Sequence, residues 1–223
     1  MNLSPERFNR FLHKMGKRFV WRPSGACSCL NPFSGAADQY CPLCRGVGRV
    51  WSDGIEGVAG VTHVDASRDW KEFGRLEAGD VTVTVPEASP LFDLKEFDRL
   101  MLVDSDELFS ITMVRGEADY FSFTAKQVDE VFWLDEDKQR VNGGIPLIHS
   151  NGTLEWTDGD GPPDGVRYSI SGRRHTEYFV YIGLPAGRFM HQGARLPKKV
   201  LARRWDLFGR EESFGPTSAD VPL

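Results

Sequence analysis

Apolar positions along the chain follow two different periods. Near the start, Phe8, Phe11, Leu12 and Met15 recur at the spacing of one helix face, surrounded by Arg7, Arg10, Lys14, Lys17 and Arg18. Ser4 is suited to cap that helix, Pro5 to its first position and Glu6 to the positive end of its dipole, while Gly16 marks its stop. From Arg22 to Gly60 the chain is too rich in Gly, Pro and Ser to predict a helix or a long strand. Past this stretch the period becomes two. Val81, Val83 and Val85 alternate with Thr82 and Thr84, which predicts a half-buried strand ended by Pro86. Phe109–Val114, Tyr120–Ala125, Val128–Leu134, Val166–Ser171 and Glu177–Ile182 are further short apolar or alternating runs. Turn signals separate them at Arg115-Gly116-Glu117, Asn142-Gly143-Gly144, Asn151-Gly152 and 158–165. Leu94 to Leu100 fits a helical turn or a loop equally. The expected fold is mainly β, a barrel or sandwich body preceded by a short helix and a cysteine-clipped loop arm. The expected division is 1–60 for helix and arm, 61–212 for the β body and 213–223 for an extended tail.

Composition narrows the class. With 223 residues, 40% hydrophobic and 12% aromatic, the chain has material for a core, and disorder throughout is excluded. No run of about 18 apolar residues occurs. No apolar run follows the first charges either, so a soluble intracellular product without a secretory leader is expected. The net charge of −5 is unevenly spread: 1–50 carry 8 Lys/Arg against 2 Asp/Glu, 51–165 carry 9 against 25, and 166–223 carry 10 against 5. A basic–acidic–basic chain is able to attract copies of itself head to tail or to bind an anionic partner through its ends; charge that merely solvates a surface is the plainer reading.

All four cysteines lie in one segment, spaced C-x-C-x11-C-x2-C as Cys27, Cys29, Cys41 and Cys44. Four thiolates complete a tetrahedral shell and leave no position for water or substrate, so the predicted site is structural zinc. Iron fits the same four sulfurs. Disulfides and a redox dithiol at Cys41 and Cys44 compete, but the first is rare inside cells and the second leaves Cys27 and Cys29 unexplained. Glycines 46 and 48 would let backbone amides approach the sulfurs, and Arg45 and Arg49 would offset their charge.

Catalytic patterns are missing. His13, His63, His149, His175 and His191 have no ligand spacing, and no G-x-S-x-G, P-loop or G-x-G-x-x-G occurs. Asp104-Ser105-Asp106-Glu107 and Asp135-Glu136-Asp137 read as solvated faces before they read as acid/base pairs. Pro162 occupies the third ligand position of a calcium loop starting at Asp158, so that segment reads as a turn. Arg195 to Arg210 mixes cations with large apolar groups, and Arg203, Arg204 and Trp205 are the side chains there that suit an interface; a basic edge strand facing water is the competing reading.

Two resemblances bear on function. Cys41-Pro42-Leu43-Cys44-Arg45-Gly46-Val47-Gly48 resembles one unit of the DnaJ-type zinc repeat; that family uses several units, so the likeness extends only to the turn that presents two sulfurs. Thr84-Val85-Pro86-Glu87-Ala88-Ser89-Pro90-Leu91-Phe92 with Phe97-Asp98-Arg99 resembles structural proteins that join head to tail in contractile-tailed bacteriophages. Leu196-Pro197-Lys198-Lys199-Val200 with Arg203-Arg204-Trp205-Asp206-Leu207-Phe208-Gly209-Arg210 carries the same resemblance. It implies a non-enzymatic virion protein, assembled in the host cytoplasm as a ring of six or twelve copies. Its partners would be neighbouring head and tail proteins, with DNA passing through the channel and no membrane contact. Phe8, Phe11, Leu12 and Met15 would then pack on a neighbouring subunit. A tail or baseplate position is the near alternative, and a zinc-stabilised nucleic-acid-binding protein using residues 1–50 and 195–210 is the distant one.

Overall fold

The structure is a computed structural model and describes residues 4–63, 79–117, 119–157, 159–183, 190–191 and 194–208. The tail 213–223 lies outside them, as do Gly209 and Arg210. The chain begins with helix α1 (Pro5–Met15), followed by β1 (Lys17–Arg22), β2 (Ser24–Ala26), β3 (Arg49–Trp51), β4 (Ile55–His63) and β5 (Val81–Val85). It continues through β6 (Arg99–Val114), β7 (Ala125–Leu134), β8 (Arg140–Asn142), β9 (Leu147–Ile148) and β10 (Leu154–Glu155). The last strands are β11 (Arg167–Gly183), β12 (Met190–His191), β13 (Ala194–Arg195) and β14 (Lys198–Arg204). Among the described residues no helix is long and apolar enough to cross a membrane.

The chain forms two compact units, 1–102 with 178–223 and, between them in sequence, 103–177. This differs from the expected division at residue 60, because β1 and β4 are strands of the same barrel as β5 and β14. The long strands β6 and β11 contribute residues to both units.

The first unit is a closed six-strand barrel in the order β14-β5-β4-β1-β6-β11, shut by pairing of β11 with β14. Alternate residues point inward, as the pleat requires. Phe19 and Trp21 of β1, Val81, Val83 and Val85 of β5, Leu100 of β6, Tyr178 and Val180 of β11, and Val200 and Ala202 of β14 form one core. Closure leaves the six strands of the barrel without a free edge among them. It also corrects the edge-strand reading of the basic C-terminal segment. β14 lies between β5 and β11 with Val200, Leu201, Ala202 and Arg203 all buried. Arg203 is 4% exposed, pairs with Asp80 through Nε at 3.2 Å and Nη2 at 3.3 Å, and lies over the Tyr181 ring at 3.9 Å. It is a core cation matched by a buried carboxylate, unavailable to a partner.

Helix α1 starts and stops where the sequence places it. The Ser4 hydroxyl accepts from the Arg7 amide, and the Gly16 amide donates to the Leu12 carbonyl. Leu12 is 6% exposed and rests where Gly60 leaves room: a Cβ there would lie 2.8 Å from Leu12 Cδ2. Leu12 therefore belongs to its own barrel and does not serve a neighbouring subunit.

The second unit contains the sheet order β6-β11-β7-β8 and the hairpin β9–β10. Phe109, Phe121 and Phe123 pack edge-on or tilted with ring centroids 5.0–5.3 Å apart. The expected strand at Tyr120–Ala125 reduces to an isolated bridge from Tyr120 to Thr153, and the strand proper starts at Ala125. Tyr168, 1% exposed, donates to Asp119 at 2.7 Å, and Asp119 in turn pairs with Arg115 at 2.7 Å. Burial, then the Asp119 hydrogen bond, pushes the Tyr168 phenol well above its ordinary value of 10.0. A pKa raised by folding contributes stability that is complete below the unfolded value and lost as pH rises through the folded one. Tyr168→Phe is expected to cost about 1.5–3 kcal/mol at neutral pH, read from urea unfolding, because the bond is to a charged group. In the wild type, one phenol should fail to ionise in an absorbance titration until the chain unfolds; normal ionisation of every tyrosine would contradict this.

Candidate metal centre

The arm that carries the cysteines leaves the barrel through β2 and returns through β3, paired as Ser24↔Trp51, Gly25↔Val50 and Ala26↔Arg49. The pairing extends one step further, with the Cys27 amide donating to the Gly48 carbonyl at 2.9 Å. Between these points the chain is held by short turns. Asn31 Oδ1 accepts from the amides of Phe33 and Ser34, and Asp38 Oδ1 from the amide of Tyr40. The Arg45 amide donates to the Cys41 carbonyl at 2.8 Å, which folds Cys41 and Cys44 into one tight turn. That turn leaves through left-handed backbone at Arg45 (φ 52°), Gly46 (φ 84°) and Gly48 (φ 75°). Gly48 is also needed for space, since a Cβ would lie 2.9 Å from Leu30 Cδ2.

The four sulfurs converge. All Sγ atoms lie within 4.8 Å of one another, with Cys27 to Cys41 at 3.7 Å and Cys29 to Cys44 at 3.4 Å. A tetrahedral ion with bonds of about 2.3 Å places its sulfurs about 3.8 Å apart, so the cluster has the size of a four-thiolate shell. Disulfide bonds would need about 2.05 Å, and all four thiols are free. Cys27, Cys41 and Cys44 are buried and Cys29 is half-buried. Backbone amides serve as outer donors, from Asp38 to Cys29 and from Gly48 to Cys44. The Asp38 amide lowers the Cys29 thiol, but burial and the sulfurs of Cys44, Cys27 and Cys41 raise it, to about 12. Burial raises Cys44 while the Gly48 amide and the other three sulfurs bring it down, to about 7. The first thiolate forms easily and later ones against mutual repulsion, which a divalent cation relieves.

The arm has little else to hold it. Its buried cluster is Cys27, Cys41 and Cys44, with Cys29 and Val50 packed against them. Its large side chains face solvent: Phe33 is 99% exposed, Tyr40 83% and Leu43 72%. A segment this short without an apolar core depends on a cross-link or an ion. The donor set and spacing fit a metal ion bound by four protein ligands, a closed structural site.

The arm is fixed to the barrel through Asp98, Trp51 and Arg49. Asp98, 0% exposed, accepts from Trp21 Nε1 at 2.8 Å, the Ser24 amide at 2.7 Å and the Lys95 amide at 3.0 Å. Ser24 opens β2, so one carboxylate ties β1, the arm's root and the approach to β6. Trp51, in β3, donates to the Phe97 carbonyl at 3.1 Å and meets Trp205 edge-on at 5.0 Å. Arg49 lies over the Phe97 ring at 3.8 Å, which braces the root of the arm. Trp205 stacks on Phe208 at 4.9 Å, and Arg204 pairs with Asp206 at 3.0 Å. No local pattern announces Asp98: two of its three donors, on Trp21 and Ser24, lie 77 and 74 residues away. Phe8, Phe11 and Met15 remain exposed at 41, 57 and 63%. Among the carboxylates considered for chemistry, Asp106 pairs with Arg173, Glu107 with Arg174, and Asp135 Oδ1 accepts from the Gln139 amide.

No family model matches the chain, and no curated protein matches it significantly.

Proposed function

We propose that the chain is a structural subunit of a contractile-tailed phage particle, a ring component of the head–tail neck with a zinc-held arm. The observation that carries this reading is the division of charge between the two units. Residues 103–177 hold 7 Lys/Arg against 15 Asp/Glu, whereas the remainder holds 20 against 17. A subunit acidic in one unit and mildly basic in the other is built to meet copies of itself, and closed rings require such unlike faces. The closed sulfur shell supports a mechanical role, since four protein ligands leave no position for substrate. In this reading the barrel is the ring's body, the ion makes a stiff peg of a loop that could not otherwise fold, and the phage resemblance supplies the setting.

The test is to locate the chain in purified particles by cryo-electron microscopy. Density for the barrel between head and tail is expected. A position in the baseplate would move it within the virion, and its absence from particles would overturn the reading. Duplex DNA binding by the free chain that falls steeply with salt would instead favour a nucleic-acid-binding role.

A further inference from the structure

In the second unit the long strand β6 keeps one edge open. Phe19 of β1 pairs with Leu102, and among the described residues no strand pairs with that side of β6 beyond it. On the other side lies β11. There the Arg115 amide donates to the Val166 carbonyl at 3.1 Å, and the Arg115 carbonyl accepts from the Gly165 amide at 3.0 Å. Alternate residues of an antiparallel strand bond to the same side. Ile111 and Met113 thus bond toward β11, while the backbone groups of Leu108, Ser110 and Thr112 point to the open edge. All three residues are exposed, Leu108 at 73%.

A cavity of about 480 Å³ runs along this edge, lined by Ile111, Thr112, Met113 and Val114. Neighbouring side chains of a strand point to opposite faces, so four in succession around one cavity mean that the strand's edge opens into it. Tyr120 and Phe123 also line the cavity, and Glu117 and Arg167 add one charge of each sign. A free backbone edge beside a pocket takes an extended peptide as an added strand: the main chain gives affinity and the pocket selects a side chain.

The chain carries a segment of matching chemistry in 209–223. Phe214 is its one aromatic residue and follows Arg210, Glu211 and Glu212, whose two signs complement Glu117 and Arg167. Phe208 is anchored on Phe179 and Trp205, with ring centroids 4.9 Å apart in each pair. From there to Phe214 the chain reaches about 20 Å when extended, enough to cross to a neighbour in contact. We propose that residues 214–219 of one copy add antiparallel to the β6 edge of a second copy. Phe214 enters the cavity beside Met113, and Gly215, Thr217 and Ala219 bond to Thr112, Ser110 and Leu108. In this register the missing amide of Pro216 faces solvent, where an edge strand tolerates it. The strand ends before Asp220, which would meet Glu107. The choice of a second copy rests on the ring reading above: a tail given and an edge received are unlike faces, and such contacts repeat from copy to copy.

The test puts the photo-cross-linker benzoylphenylalanine in place of Phe214 in the full chain. On illumination the expected product has twice the chain mass on a denaturing gel, and peptide mass spectrometry places the attachment between Leu108 and Phe123. A product of single-chain mass, an attachment elsewhere or no cross-link would overturn the proposal. In sedimentation velocity, Phe214→Asp should self-associate at least about tenfold more weakly than wild type, because an aromatic anchor is lost. The same variant, its edge vacant, should bind a synthetic peptide of residues 209–223, which a misfolded chain could not do. Association equal to wild type, or failure to bind the peptide, would each remove the contact. Particle incorporation is scored separately. Cross-linking at this edge by a chain absent from particles removes the neck reading alone, and incorporation without that cross-link removes this contact alone.

Discussion

Replacing Cys44 by serine is expected to abolish stoichiometric metal in the purified chain and to unfold the arm while the barrel persists. Three sulfurs and a hydroxyl no longer form the closed shell, and apparent binding energies of structural zinc, about 10–16 kcal/mol in small peptides, are largely folding energy there. The barrel has its own core, from Phe19 to Ala202, distinct from the cysteine cluster, so its urea midpoint should change little. Arg45 supplies the readout, because it is exposed yet sits in the tight turn after Cys44 at φ 52°. Trypsin should cut after Arg45 rapidly in the variant, and in wild type after chelation, but slowly in the metal-loaded chain. Elemental analysis decides the ion: zinc is the proposal, and iron would be visible by its absorbance. A wild-type chain with no stoichiometric metal and an equally resistant arm would remove the metal centre.

The second large effect belongs to Asp98. Asp98→Ala leaves the indole of Trp21 and the amides of Ser24 and Lys95 without their common acceptor in a site of 0% exposure. Each buried donor left unsatisfied costs about 1–3 kcal/mol, and shared rearrangement makes about 3–5 kcal/mol the expected total. The urea midpoint should fall with the slope unchanged, the sign of lost stability without a change in exposed surface. Because Ser24 begins β2, tryptic cleavage after Arg45 should also quicken at full metal loading, a result that mere weakening of the core would not produce. Asp98→Asn keeps the shape but turns an amide group toward donors, so it should fall between wild type and alanine. A loss below about 1 kcal/mol for alanine would mean that the donors find other partners.

The same carboxylate shows where sequence reading stops. The helix was legible because Ser4, Pro5, Gly16 and the spacing of Phe8, Phe11, Leu12 and Met15 are all local signals. β5 was legible for the same reason, as five alternating residues before a proline, although it is nearly all buried and not half-buried. β4 was hidden by its glycines, which read as turn signals but are sites of close packing. At Gly57 a Cβ would lie 2.6 Å from Leu91 Cγ, so the strand must be bare there. β11 looked like two short runs because Arg173 and Arg174 interrupt its apolar pattern, yet these cations pair with Asp106 and Glu107 and the strand runs through from Arg167 to Gly183.

By itself the sequence determined what depends on neighbours along the chain: the start and stop of α1, the all-β character, and four cysteines spaced for one tetrahedral ion. It also held the charge imbalance, but blocks drawn by residue number blurred its extent. Only the fold assigns −8 to residues 103–177 and +3 to the rest, because the second unit is an insertion between β6 and β11 of the barrel. The tertiary structure alone decided that Leu12 faces inward while Phe8 and Phe11 do not, that Arg203 is buried against Asp80, and that β14 closes a barrel. Strand order and buried ion pairs depend on partners tens to more than a hundred residues away, and spacing along the chain encodes no such choice.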